Sequence, residues 1–241
     1  MTNSTNFLIA KFGIKQHLLQ LQNGEIFFNS IQTYREDDTA YRGDIMEGRI
    51  PINPETIKIY DKEGMDIFET FPRPDKAYQG LLGDEKIMMF CASAITTEIV
   101  KNPNNSIWKL KEDFKKDISG FGDHVMLLWS IELLEHIEAA TDEFGQKIGF
   151  DSGCVLYRNL DDYKNTDEYR RTGSPLDPYF VKGLSYKNQN EWRAIIYGEK
   201  KTLISNCNNG FLLKTYPFKF SRIMKATEFL DGTIEVGNGN M

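Results

Sequence analysis

Short apolar runs alternate along the chain with longer polar stretches, and their spacing predicts both strands and helices. Phe7-Leu-Ile-Ala10 predicts a strand, and Ile14, Leu18 and Leu21 then recur at helical spacing. Asn23-Gly24 supplies a left-handed stop for that helix, and Ile26-Phe27-Phe28 predicts a second strand ending in Asn29-Ser30. The stretch from Thr33 to Gly48 is dense in charge and carries Tyr34, Arg35, Tyr41, Arg42 and Asp44, which predicts an ordered loop beside a site. Residues 50 to 70 predict a small hairpin, with Ile57-Lys-Ile-Tyr60 alternating and Asp61-Lys-Glu-Gly64 as its turn.

Lys86-Ile-Met-Met-Phe-Cys-Ala92 is nearly continuous in apolar character and predicts a central strand buried on both faces. Val125 to Trp129 predicts another strand. Glu132 to Phe144 predicts an amphipathic helix with Leu133, Leu134, Ile137 and Phe144 on its apolar side. Further strands are expected at Gly153–Tyr157, Glu191–Tyr197, Phe211–Leu213 and Phe218–Phe220, with a surface loop from Asn159 to Pro178. The mixed order of elements favours α+β over regularly alternating βαβ units. Nothing along residues 1–241 marks a domain boundary, so one domain is expected, with a soft tail from about residue 232.

Composition changes this picture in three ways. The formal net charge of −6 lacks the basic signature of proteins that bind along a nucleic-acid backbone, although a local basic cleft stays open. Cys91, Cys154 and Cys207 are widely spaced and form no CxxC pair, and His17, His124 and His136 are not grouped with them, which predicts reduced thiols and no metal site. The polar N-terminus lacks the pattern of a signal peptide, and no apolar run approaches the roughly 20 residues that cross a bilayer. The expected location is the cytoplasm of a bacterium or of a phage-infected cell, with no membrane partner.

GxGxxG, Walker-type, HExxH and GxSxG motifs are all missing, so candidate chemistry rests on clusters of residues. On a strand from Glu191, residues 191, 193 and 195 share one face, so Glu191 and Arg193 project together with Gln189 just ahead. A carboxylate beside a guanidinium stays ionised and suits a ribose hydroxyl or an oxocarbenium-like transition state. An edge-strand ion pair worth less than about 1 kcal/mol is the plainer alternative. Arg35 and Arg42 offer forks matched to phosphate, and Tyr34 a ring for stacking. A solvated loop with internal Arg–Asp pairs is the alternative there. Ser93 stands at the polar exit of the central strand, where it either meets a ligand or caps a turn.

Leu21-x-x-Gly24-x-Ile26-x-Phe28-Asn29-Ser30, Tyr34-Arg35-x-x-Asp38 and Arg42-Gly43-Asp44-x-x-Glu47-Gly48 resemble the opening of an uncharacterised bacterial protein family. Ile87-x-x-Phe90-Cys91-x-Ser93 and Lys182-x-x-x-Tyr186-x-x-Gln189-x-Glu191-Trp192-Arg193 fit the same pattern. The layout also resembles diverged ADP-ribosyltransferases of the DarT-like kind. That resemblance implies a mixed, split β-sheet with flanking helices and NAD as substrate in the cleft. It implies Glu191 as the catalytic acid, and Arg35 or Arg42 on the NAD phosphates. Ser93 would stand at the cleft, and Tyr34, Gln189 and Tyr186 would position the ligand or the acceptor. The acceptor would be a macromolecule, nucleic acid or protein, and the setting a toxin or phage-defence effector with an antitoxin-type partner. The alternative is a non-enzymatic partner-binding or inhibitory module of a defence system or phage.

Overall fold

The structure, a computed structural model, describes residues 6–37, 43–80, 83, 86–143, 148–162, 171–198 and 210–236. The chain opens with β1 (Leu8–Gly13), α1 (Lys15–Gln22), β2 (Glu25–Ser30) and α2 (Ile31–Glu36), followed by β3 (Ile50–Ile52) and β4 (Ala77–Gln79). The central β5 (Ile87–Ile95) leads to β6 (Val100–Lys101), β7 (Ile107–Leu110), α3 (Glu112–Ile118), β8 (His124–Trp129) and α4 (Ser130–Asp142). The remaining strands are β9 (Ile148–Cys154), β10 (Leu156–Arg158), β11 (Val181–Gly183), β12 (Glu191–Gly198), β13 (Gly210–Lys214), β14 (Arg222–Lys225) and β15 (Ile234–Glu235). Helix α5 (Ala226–Asp231) stands between the last two. The class is α+β, as the element order predicts.

Among the described residues eight strands form the main sheet. One edge of β5 pairs with β12 along Ile87–Ser93, and β12 pairs in turn with β9. The other edge of β5 is shared: β2 pairs at Met88 and Met89, and β1 pairs at Ser93, Ala94 and Ile95. Between them the sheet divides, with β13 continuing from β2, and β8 and β14 continuing from β1. Every ladder of this sheet among the described residues is antiparallel, which corrects the expected mixed sheet. Among the described residues the one parallel ladder joins β10 to β11 outside it.

Alternation along β5 and β12 sorts the two faces. Met88, Phe90, Ala92, Trp192, Ala194 and Ile196 fill the principal apolar core together with Leu18 and Leu21 of α1 and Leu133 and Ile137 of α4. Met89, Cys91, Ser93, Glu191, Arg193 and Ile195 face the other way, towards α2 and the segment Leu176–Phe180. A second apolar cluster joins Ala10, Phe12 and Val125 to α3 and α5, neither of which the periodicity had predicted.

Of the hairpin expected over residues 50 to 70, the turn at Asp61–Gly64 forms, closed by Asp61 N–H to the Met65 carbonyl and Ile67 N–H to the Ile59 carbonyl. The arms pair only through the Tyr60–Asp66 bridge. At the start of the run the Arg73 guanidinium takes the carbonyls of Pro54 and Ile57 and stacks on Phe68, so Ile57 has no strand partner there. Phe218–Phe220 is not a strand. Phe218 stacks on His136 at 4.5 Å, and the backbone N–H groups of Lys219 and Phe220 donate to the Glu132 carboxylate. The strand forms later, as β14. The expected loop at 33–48 begins as α2, capped by Ser30, whose hydroxyl accepts from the Thr33 N–H. Within the expected surface loop, Leu176 and Asp177 are buried. The expected tail is pinned at Ile234 and Glu235, which pair with β7. Phe144 and Cys207 lie outside the described residues.

Gly24 ends α1 as predicted, at φ +91°, and a Cβ there would collide with the carbonyl oxygen of Thr215. Left-handed strain and a backbone clash act together, so Gly24→Ala is expected to destabilise the fold by about 1–3 kcal/mol. Urea unfolding measures this, and an unchanged midpoint would contradict it.

Candidate functional site

The division of the sheet leaves Phe90, Cys91 and Ala92 without a strand on one edge. Two side chains satisfy the carbonyls exposed there. Lys11 Nζ donates to the Cys91 carbonyl at 2.6 Å, and Tyr34 Oη donates to the Met89 carbonyl at 3.1 Å. A cavity of about 90 Å³ opens at this point. Its polar wall consists of Lys11, Asn29, Tyr34, Ser93, Lys182, Gln189 and Glu191. It is small beside the ~300–1,000 Å³ of typical ligand pockets, and admits one ring or polar group.

Glu191 stands directly opposite Ser93 across the β12–β5 ladder, so their side chains lie next to each other on one face. Ser93 is 5% exposed and lines the cavity. Asn190 sets the entry into β12. It adopts the left-handed conformation (φ 44°), and its amide donates to the Ala94 carbonyl at 2.6 Å and to Thr96 Oγ1 at 2.9 Å. That turn lets Gln189 and Glu191 both reach Lys182. Tyr157 adds a further hold, its phenol oxygen accepting the Glu191 N–H at 2.7 Å.

Behind the cavity four charged side chains are buried together: Glu47, Lys182, Glu191 and Arg193. Arg193 is fully enclosed. Its Nε donates to Glu191 Oε1 at 2.7 Å, and its two terminal nitrogens donate to the two oxygens of Glu47 at 2.5 and 2.9 Å. The Tyr179 carbonyl accepts from it as well. Lys182 Nζ donates to Glu191 Oε2 at 2.9 Å and to Gln189 Oε1 at 3.2 Å. Strand β12 lies between two neighbours, so this is no edge-strand pair, and the estimate for an exposed ion pair does not apply to it.

Burial pushes the Glu191 carboxyl upwards, but Arg193 and Lys182 outweigh it and hold the group well below the usual carboxylate range. Glu191 is therefore an anion at neutral pH. Burial raises Glu47, against the pull of Arg193 and Lys182. Burial also raises the Cys91 thiol, with the Glu191 charge adding to it, so the thiol stays protonated.

Of the residues singled out in the sequence, Tyr34, Ser93, Gln189 and Glu191 meet at the cavity. Tyr186 lies alongside, its ring 4.7 Å from Lys182 Nζ and its hydroxyl donating to the Gly43 carbonyl at 2.9 Å. Arg35 does not line the cavity; its Nε donates to the Glu47 carbonyl at 2.8 Å. Arg42 and Tyr41 lie outside the described residues. Glu47 and Lys182, which stand in the quoted motifs without a role, join the site, as do Tyr157 and Lys11. A lysine inside the otherwise apolar run Tyr179-Phe-Val-Lys-Gly183 was a local hint, whereas nothing near Glu47 pointed to a partner 146 residues away.

Among the described residues no group of three or more His, Cys, Asp or Glu side chains could hold a metal ion. No helix there is long and apolar enough to cross a membrane. The fold and site together define an α+β protein with a buried, charge-balanced polar cluster at the division of an antiparallel sheet. Comparisons with family models, curated proteins and solved structures return no match.

Proposed function

We propose that the cleft binds NAD by its nicotinamide-ribose end and that the protein transfers ADP-ribose to a macromolecular acceptor, with Glu191 as the catalytic carboxylate. The observation that carries this reading is the pair Glu191–Ser93: an ionised carboxylate directly across the ladder from a serine, both of them lining the cavity. The carboxylate can accept from one ribose hydroxyl, and a serine hydroxyl can donate to or accept from its neighbour. The cavity matches one ring in size and not a whole dinucleotide.

In the reaction the bond between C1′ and the nicotinamide nitrogen breaks, and nicotinamide leaves as a neutral ring with the electron pair. The acceptor's nucleophilic nitrogen or oxygen bonds to C1′ and gives up its proton to solvent. Glu191 would accept the 2′-hydroxyl hydrogen and stabilise the cationic, oxocarbenium-like transition state. Gln189 and Tyr186 flank that position. The phosphate contact expected of Arg35 is not assigned, because that guanidinium holds the Glu47 carbonyl. Such an activity would suit a toxin or a phage-defence effector.

A ligand bound only by the native state raises the unfolding midpoint. With millimolar NAD a rise of the midpoint and release of free nicotinamide are expected, and Ser93→Ala should shrink both. No rise and no nicotinamide would overturn the reading.

One observation favours a partner-binding or inhibitory module instead. The arm between β3 and β4 exposes Ile59, Tyr60, Met65 and Phe71, each at least 47% accessible. A protein that ignores NAD but binds a partner through these four side chains would fit that second reading.

A further inference from the structure

We propose that Glu47 is a positioning residue for Glu191, acting through the plane of the Arg193 guanidinium; this rests on the reading of Glu191 as the catalytic carboxylate. A guanidinium is flat, and its donors form a rigid fork. Glu47 grips two of its nitrogens with both carboxylate oxygens, which fixes the plane and not merely the location of the charge. The Nε–H then has one direction, and Glu191 Oε1 lies on it at 2.7 Å. Lys182 fixes the second oxygen. Glu191 is thereby held at both oxygens while its side chain still borders the cavity.

The loop that carries Glu47 is built to present it. Asp44 accepts the Glu47 N–H with its carbonyl at 2.8 Å, and its carboxylate accepts the Met46 N–H at 2.9 Å. Arg35 holds the Glu47 carbonyl. Gly48 follows at φ +70°, where a Cβ would strike the Tyr179 ring. Glu47 itself is 1% exposed and Arg193 is not exposed at all.

Stability alone does not account for this expense of buried charge. A buried ion pair usually contributes no more than an apolar pair of the same volume, and the rest of β12 facing the sheet's core is apolar. The four formal charges also cancel: Glu47 and Glu191 against Lys182 and Arg193. Any single deletion upsets that balance, so the test uses changes that keep it. Arg193→Lys keeps the cation but loses the planar fork. The double change Glu47→Leu with Arg193→Met removes one charge of each sign and leaves Lys182 to keep Glu191 ionised.

The experiment measures kcat and KM for NAD in the wild type and in both variants, with a crystal structure of the double variant. Expected are folded proteins with KM within about threefold of wild type and kcat lowered about a hundredfold, the size of effect that follows from misplacing a catalytic group. The Glu191 carboxylate should occupy a second rotamer in the double variant. Wild-type kcat in either variant, or a Glu191 side chain that has not moved, overturns the positioning role. A wild type that does not turn over NAD defeats the transferase reading separately, and the Glu191 rotamer still decides what Glu47 does.

Discussion

Arg193→Met is expected to destabilise the protein by about 3–5 kcal/mol, the usual consequence of removing one partner from a buried ion network. Arg193 is enclosed completely, and its loss strips Glu47 of both direct donors and the Tyr179 carbonyl of one. Glu191 keeps Lys182 as its one cation, with the Cys91 thiol beside it. Two carboxylates then share one cation in a setting with little water, where charge repulsion is weakly screened. Adding Glu47→Leu removes the surplus anion, so the double variant should recover most of the lost stability. That recovery is non-additive, as expected for residues in direct contact. Urea unfolding of wild type, both single variants and the double variant gives the coupling energy directly. A cost under about 1 kcal/mol for Arg193→Met would place the network with weak surface pairs and refute this account of it.

Glu191→Gln carries the largest expected effect on activity, a fall in turnover of about 10²–10³-fold with NAD, the range for losing one preorganised electrostatic group. It also has a signature in pH that does not depend on NAD. The folded protein holds Glu191 below its unfolded value of about 4.3. The unfolded chain therefore binds the proton more readily, so Glu191 contributes stability that is complete above about pH 5 and is lost as pH falls through the folded value. Glu47 acts with the opposite sign, since burial raises it: its contribution is present below the unfolded value and lost as pH rises through the folded one. Glu191→Gln should accordingly flatten the decline of the unfolding midpoint between about pH 5 and pH 2. An acid limb as steep as that of the wild type would show that the carboxylate is not held ionised by its neighbours.

The plainest sequence signals were those carried by periodicity. Apolar alternation and run length placed β5, β8 and β12 within two or three residues of where they form, because a strand buried on both faces demands continuous apolar character. The period of two also put Glu191, Arg193 and Ile195 on one face, and the ladder bears that out. Phe218–Phe220 misled because its aromatic content suits a strand, whereas Glu132 captures the backbone N–H groups first. Ile57–Tyr60 pairs over less of its length than its alternation suggests, since the Ile57 carbonyl is taken by Arg73 while Ile59 and Tyr60 still meet Ile67 and Asp66.

By itself, then, the sequence determined the α+β class, the central strands, the stop at Gly24 and the shared face of Glu191 and Arg193, since these depend on neighbours within a few residues. Only the tertiary structure decided where the sheet divides, that Ser93 stands against Glu191, and that Glu47 and Lys182 close the charge balance. Those facts depend on strand register and on a loop meeting a strand more than a hundred residues away, as Glu47 meets Arg193. Local periodicity cannot encode such a meeting, because register and long-range pairing are fixed only when the whole core packs.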